Sequence, residues 1–327
     1  QKGEILGERD GNTANKKWVL YSKGGPYQKW FGNLWLTIDW EDNGKKLQNY
    51  LISRGQDLHA QEYFFKDGLT YSASGSKGIS LRYLPSNHLF DIGGSSIFLM
   101  KDYKNIFYLM GFLNSKMVSY IVDCLNPTVN KQPGDLKRIP FIKPELKNEN
   151  NVTKLSKRCY EICRLLRTYS FPEIIYNKSP FESFREGELK KLVKVFFNYE
   201  NHLLTQVALS EAISNEQIFK VFDLSDSDKE MIKAKEGESI GNMPVTIEAR
   251  GAYFAEIEAT KEFPLDDVKD FIENLPVKEF SAEEREAVEK EFPSLYQNNN
   301  DLEEFCIRHQ IIPINVWYLL KQSKVIP

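Results

Sequence analysis

Cysteine and histidine are scarce here, four of each in 327 residues. Cys159 and Cys163 stand four apart on an apolar helical spacing with no histidine near them, so they read as buried thiols rather than zinc ligands. Unpaired cysteines fit a reducing cytoplasm, and a cytoplasmic location is expected. No apolar run reaches the ~18 residues of a membrane span. The opening QKGEILGERDGN is polar, does not begin with Met and has no apolar core, so no signal peptide is expected. Gly75-Ser76-Lys77-Gly78 lacks the upstream glycine and the spacing of a phosphate-binding loop. A Gly-x-Ser-x-Gly elbow and a His-Glu-x-x-His pair are both missing. These gaps leave no catalytic residue, no metal site and no cofactor-binding residue to assign.

Apolar residues make up 41% and aromatics 13% of the chain, enough for more than one core. The length suggests two or three domains. Net charge is −3 but uneven. Residues 1–147 carry 20 Lys+Arg against 14 Asp+Glu, and the remainder 23 against 32. The first part suits phosphates; the second would be repelled by them.

Residues 1–17 read as an irregular entry. Trp18 to Tyr21 and Leu34 to Trp40 have strand composition, with a Lys-Gly-Gly-Pro turn between them. Lys45 to Ser53 reads as a short helix. Asp67-Gly68, between Tyr63–Phe65 and Leu69–Ser72, signals a hairpin. Ile79 to Leu84 and Ser96 to Met100 read as strands. One helix is expected over Ile106 to Leu125, with Asn114-Ser115-Lys116 as a polar face, then a strand over Arg138 to Ile142. Helical spacing resumes from Val152 to Tyr169, and Phe171 to Pro180 reads as a loop. A long helix follows from Glu186 to Ala212, with Ser214 and Ser225 as caps for the next turns. Ser227 with Glu230 and Ser281 with Glu284 match capping boxes. Residues 235–262 are ambiguous. Helices are expected over Leu265 to Leu275, from Asp301, and from Pro313. The fold class is therefore α+β: a mixed, β-rich domain over 1–146, a helical spacer over 147–212, and a mainly α-helical region over 213–327.

Two stretches carry chemistry suited to nucleic acid. In YSKGGPYQKWFGN, Lys23 and Lys29 can pair phosphates, and Gly24 and Gly25 free the backbone for close approach to a polyanion. Gln28 and Asn33 bear the amide fork that fits an adenine edge. Trp30, with Tyr27 and Phe31, can stack or simply pack; an aromatic-cored hairpin with solvated lysines is the plainer alternative. The loop with Thr128, Asn130, Lys131 and Gln132 follows a helix and suits phosphate or base contacts, or an ordinary polar connection. Asn126-Pro127-Thr128 lacks the second proline and the aromatic ring that an amino-methyltransferase loop needs. Phe90-Asp91-Ile92-Gly93-Gly94-Ser95 has no helix behind it and does not read as a cofactor loop. The acidic run from Glu284 to Glu291 is most simply a solvated helix face.

Several stretches together resemble one family. KGGPYQKWFGN, the Trp40-Glu41-Asp42-Asn43-Gly44 step, EYFFKDGLTYS, FDIGGSSIF, YLMGFLNSK, LNPTVNKQPGDLKRIPF and DLEEFCIRHQIIPINVWYLLK are similar to the C-terminal half of the BREX phage-resistance adenine-specific DNA methyltransferases, the PglX family. Residues 170–280 add little to this. The Asn-Pro-Thr to Ile-Pro segment also resembles restriction specificity subunits. The resemblance implies a target recognition domain that reads duplex DNA. It implies that S-adenosylmethionine and the Asn-Pro-Pro-aromatic motif belong to a catalytic domain in the same or a separate chain, so that this chain alone does not methylate. Lys23, Lys29 and Lys131 are then expected to position the backbone, and Gln28, Asn33, Asn130 and Gln132 to read bases. Two alternatives stay open: a stand-alone exchangeable specificity module, and a scaffold that binds other phage-defence proteins without gripping DNA.

Overall fold

The computed structural model describes residues 17–75, 77–100, 102–183, 188–260, 266–297 and 301–322. Ser76, Leu265 and the entry over 1–16 lie outside them. The chain forms two compact units, Gln1–Asn177 and Lys178–Pro327.

The first unit carries β1 (Trp18–Ser22), β2 (Leu36–Asp39), α1 (Glu41–Ser53), β3 (Gly68–Tyr71), β4 (Leu81–Leu84), β5 (His88–Phe90), β6 (Ser96–Ile97), α2 (Ile106–Leu113), α3 (Lys116–Leu125), α4 (Pro133–Leu136) and α5 (Leu146–Arg167). One sheet has the order β2-β1-β5, with β1 antiparallel to β2 and parallel to β5. The other is antiparallel, β4-β3-β6. Trp30 joins the loop after β1 to β4: its N–H donates to the Leu81 carbonyl at 2.9 Å, and Tyr83 N–H donates to its carbonyl at 3.0 Å.

The Asp67-Gly68 hairpin does not form. Residues Gln61–Tyr63 make a 3-10 turn, and β3 pairs with β4 and β6. The apolar side chains decide this. Phe64 and Phe65 pack edge-on against Trp40 in a core with Val19 and Leu89, and so are not available to a strand beside β3. Asp67 instead accepts from Tyr83 Oη at 2.9 Å and from Ser86 N–H at 3.0 Å.

The single helix expected over Ile106 to Leu125 is two. Asn114 ends α2, and its amide extends the ladder of β4, accepting from Leu81 N–H at 2.8 Å and donating to Leu81 O at 3.0 Å. Ser115 caps α3 by accepting from Val118 N–H at 3.3 Å. The triplet read as a helix face is thus a break with a cap. The strand expected over Arg138 to Ile142 is also absent; Phe141 instead closes edge-on upon Tyr103, Tyr108 and Phe112. Helix α5 matches the 152–169 pattern and packs on α2. Gly111 permits that contact, since a Cβ there would lie 2.2 Å from Ser156 Oγ. Cys159 and Cys163 are buried on α5 as expected.

The second unit is helical: α6 (Pro180–Ser183), α7 (Leu189–Val221), α8 (Asp226–Glu236), α9 (Ile247–Thr260), α10 (Asp266–Glu273), α11 (Ala282–Gln297), α12 (Leu302–His309) and α13 (Pro313–Gln322). Helix α7 runs straight through Ser214, which is buried in its interior and caps nothing. Ser225 caps α8 as expected, in a capping box with Asp228 that lies two residues before the Ser227–Glu230 pair read in the sequence. Ser281 and Glu284 exchange bonds of 3.2 and 2.9 Å, as expected. Tyr253, His202 and Trp317 meet as rings where α9, α7 and α13 pack. Among the described residues no cluster of His, Cys, Asp or Glu suits a metal ion, and no helix is long and apolar enough to cross a membrane.

Candidate nucleic-acid interface

A four-residue strap, Ser72 to Gly75, gathers distant loops of the first unit. Ser72 Oγ donates to Gly25 O at 2.8 Å. Ala73 N–H donates to Gly93 O at 3.1 Å, and Lys131 N–H donates to Ala73 O at 2.8 Å. Ser74 bridges Asn130, and Gly75 N–H donates to Val129 O at 3.0 Å. The loop after β1 and the loop after α3 therefore stand on one support, although about a hundred residues separate them in sequence.

Gly24 and Gly25 take left-handed backbone, φ 86° and 148°. Their use is internal. A Cβ on Gly24 would lie 2.5 Å from Gly93 O, and one on Gly25 would lie 2.8 Å from Asn33 Cγ. The glycines of Asp91-Ile92-Gly93-Gly94 complete this backbone-to-backbone seam, with Asp91 Oδ1 accepting from Gly94 N–H at 3.0 Å. Asp91 Oδ2 accepts from Tyr21 Oη at 2.5 Å. Burial, then the Asp91 carboxylate, pushes that phenol far above its ordinary range.

Beneath the first loop lies a buried polar network. Arg82 has no exposed surface; its Nη1 donates to Gln28 O at 3.3 Å and its Nη2 to Ser72 Oγ at 3.3 Å. Burial pulls its guanidinium down to about 10, while the Glu173 carboxylate acts the other way, so it stays charged at neutral pH. Glu173, 5% exposed, accepts from Asn33 N–H at 3.1 Å and Leu34 N–H at 3.3 Å. Arg167, the last residue of α5, donates through Nη2 to Gln28 Oε1.

The second loop is organised by Asn126. Its Oδ1 accepts from Thr128 N–H at 3.0 Å and Thr128 Oγ1 at 2.6 Å. Its Nδ2 donates to Asn130 O at 2.9 Å and Asp135 Oδ2 at 2.7 Å. Gln132 caps α4, its N–H donating to Asp135 Oδ2 at 2.8 Å. The Asn126 amide, then the Gln132 N–H, holds the Asp135 carboxyl below the usual carboxylate range.

The sequence candidates fall into two sets. Lys23, Thr128, Asn130 and Gln132 are exposed, and Gln28 and Lys29 half-buried. Trp30, Asn33 and Lys131 are interior. Asn33 Nδ2 donates to Pro26 O at 2.9 Å, and Lys131 Nζ donates to Asp123 Oδ1 at 2.5 Å and Asn126 O at 2.6 Å. Sequence reading missed Arg82, Asn126, Arg167 and Glu173. Arg82 sits in a strand-like LRYL run and Arg167 in a helix, where an arginine ordinarily faces water. Only Asn126, beside a proline at a helix end, carried a local cap-like signal.

No protein-family model matches the chain. Two curated proteins do. Over 207 residues, 62% of this chain, it is 30% identical to the adenine-specific methyltransferase BrxX of Escherichia coli O9:H4 (strain HS). Over 133 residues, 39% of this chain, it is 32% identical to the adenine-specific methyltransferase PglX of Lacticaseibacillus casei (strain Zhang). The matched stretches span 16% and 11% of those proteins. Over the matched residues the chain is similar to the adenine-specific methyltransferases BrxX and PglX.

Proposed function

We propose that the first unit binds duplex DNA and serves as the target-recognition part of an adenine-specific DNA methyltransferase of the BREX phage-defence kind. One observation carries this reading: two loops bearing exposed lysine, amide and hydroxyl groups are fixed side by side on the Ser72–Gly75 strap. A duplex reader needs backbone contacts for register and base-edge contacts for choice, both on a rigid frame. Lys23 and Lys29 serve the first need; Gln28, Asn130 and Gln132, with Thr128 beside them, serve the second. Trp30, Asn33 and Lys131 hold the frame from below. Extrusion and methylation of the adenine, with S-adenosylmethionine, fall to a catalytic domain in the same or a separate chain.

The test is duplex binding by the full chain, followed by fluorescence anisotropy between about 50 and 200 mM salt. Affinity is expected to fall steeply with salt. Lys23→Ala and Lys29→Ala should each lower the log–log slope by about one. Lys131→Met should behave differently. Its ammonium is buried against Asp123, whose carboxylate keeps some water, so its loss should cost about 2 kcal/mol of stability and leave the salt slope unchanged. A chain that binds no duplex at low salt would sink the reading and favour a protein-binding scaffold.

A further inference from the structure

An amide side chain is ambiguous as a base reader, because it offers a donor and an acceptor and can turn over. Gln28 has lost that freedom. It sits half-buried on the first loop, between exposed Tyr27 and half-buried Lys29. Its backbone is pinned on both sides, the N–H to Ser80 Oγ at 3.4 Å and the carbonyl under Arg82 Nη1 at 3.3 Å. Its side-chain oxygen accepts from Arg167 Nη2. Gly32 makes room for the pair: a Cβ there would lie 3.1 Å from Gln28 Cγ and 3.4 Å from Arg167 Nε.

A guanidinium has five N–H donors and no acceptor. Whatever else moves, the Gln28 oxygen must face Arg167 and its NH2 must point away. The pair then presents the donors of Gln28 Nε2 and the remaining N–H groups of Arg167, against one lone pair left on the Gln28 oxygen. Adenine offers one acceptor, N7, beside one donor, N6–H2, in the major groove; guanine offers two acceptors, O6 and N7. With its oxygen held by Arg167, Gln28 keeps one lone pair beside a cation that itself only donates, so adenine N6–H2 meets a donor-rich edge that suits it less well than the two acceptors of guanine. We infer that Gln28 and Arg167 act together as a donor-rich reader that selects guanine. This replaces the amide-to-adenine fit expected of Gln28 alone, and it rests on the DNA-binding reading above.

The test selects bound duplexes from a randomised pool with the full chain, then measures affinities for the enriched sites and their single-base changes. The parent chain should enrich guanine at a position where any other base costs roughly 10-fold or more in affinity. Gln28→Glu is the informative variant. Its carboxylate still accepts from Arg167, so the loop stays pinned, which a thermal unfolding curve checks. The Nε2 donor is gone and an acceptor stands in its place, so preference at that position should turn to cytosine, whose N4–H2 donates. Arg167→Met releases the amide and should admit adenine at the same position. Guanine retained unchanged in both variants would overturn the inference and leave the DNA reading standing. So would a parent chain that binds duplex with no base preference. A parent chain that binds no duplex at low salt would remove the DNA reading itself, and the inference with it.

Discussion

Arg82→Met is expected to lower the stability of the first unit by about 3–5 kcal/mol, seen as a large drop in its urea midpoint. Arg82 is fully buried, and its two bonds tie Gln28 on one loop to Ser72 on the strap. Methionine fills similar volume, so little of the loss comes from a cavity. The loss comes from two carbonyl and hydroxyl partners left without a donor, and above all from Glu173. That carboxylate is nearly buried, and Arg82 answers its charge. Arg82 and Glu173 make no direct ion pair, yet removing one of two buried opposite charges leaves the other less well balanced, which adds to the cost of the two lost hydrogen bonds. Glu173→Gln in the same chain should therefore recover much of the loss, because a neutral amide still accepts from Asn33 and Leu34 N–H. A single-variant loss under about 1 kcal/mol would show that water reaches Glu173 and that the network is not closed.

The same network lies beyond what is legible in the sequence. The α+β class, the strands at β1, β2 and β4, the helix at α5 and the cap at Ser281 follow from local signals, and the structure has them. The errors share a cause. Asp67-Gly68 is a strong hairpin dipeptide, yet Phe64 and Phe65 gain more by packing on Trp40 than by pairing in a strand. Ser115 was a legible cap inside an apolar pattern whose continuity masked it. Within the candidate site, the side chains at the ends of local motifs were visible, and their partners were not. Nothing near Gln28 announces Arg167, 139 residues later. Nor does any local pattern distinguish Lys131, buried on Asp123, from an exposed lysine such as Lys23. Charge alone gives the residue type, and only the fold decides whether it meets solvent.

His88 supplies the second large effect, a loss of stability on mild acidification. It opens β5 and pairs with Leu20 of β1 in the parallel ladder, 3% exposed. Its Nδ1 lies 2.7 Å from Asn87 Oδ1, and its Nε2 has no partner. Asn87 Oδ1 can only accept, so Nδ1 carries the proton and a second one, on Nε2, would be buried without a hydrogen-bond acceptor. Burial accordingly holds the imidazole down to about 4, against a weaker opposing contribution from the Pro85 carbonyl. In the unfolded chain the same group titrates near ~6.5. Between those values the unfolded state binds the extra proton, so acid favours unfolding. The contribution is fully present above about pH 6.5, falls as pH drops toward about 4, and amounts to roughly 3 kcal/mol across the window. Urea titrations of the parent chain and of His88→Gln at several pH values isolate it, because the carboxylates are common to both. The parent should lose about 1.4 kcal/mol more per pH unit between 6 and 4.5; equal slopes would show that water already hydrates His88. The consequence reaches the candidate interface. Phe90, two residues on in the same strand, leads into the Asp91–Gly94 segment that backs the first loop and holds Ala73 of the strap. Acid that opens β5 should therefore dismantle the support shared by both loops, and duplex binding should fail over the same pH range as the stability of the first unit.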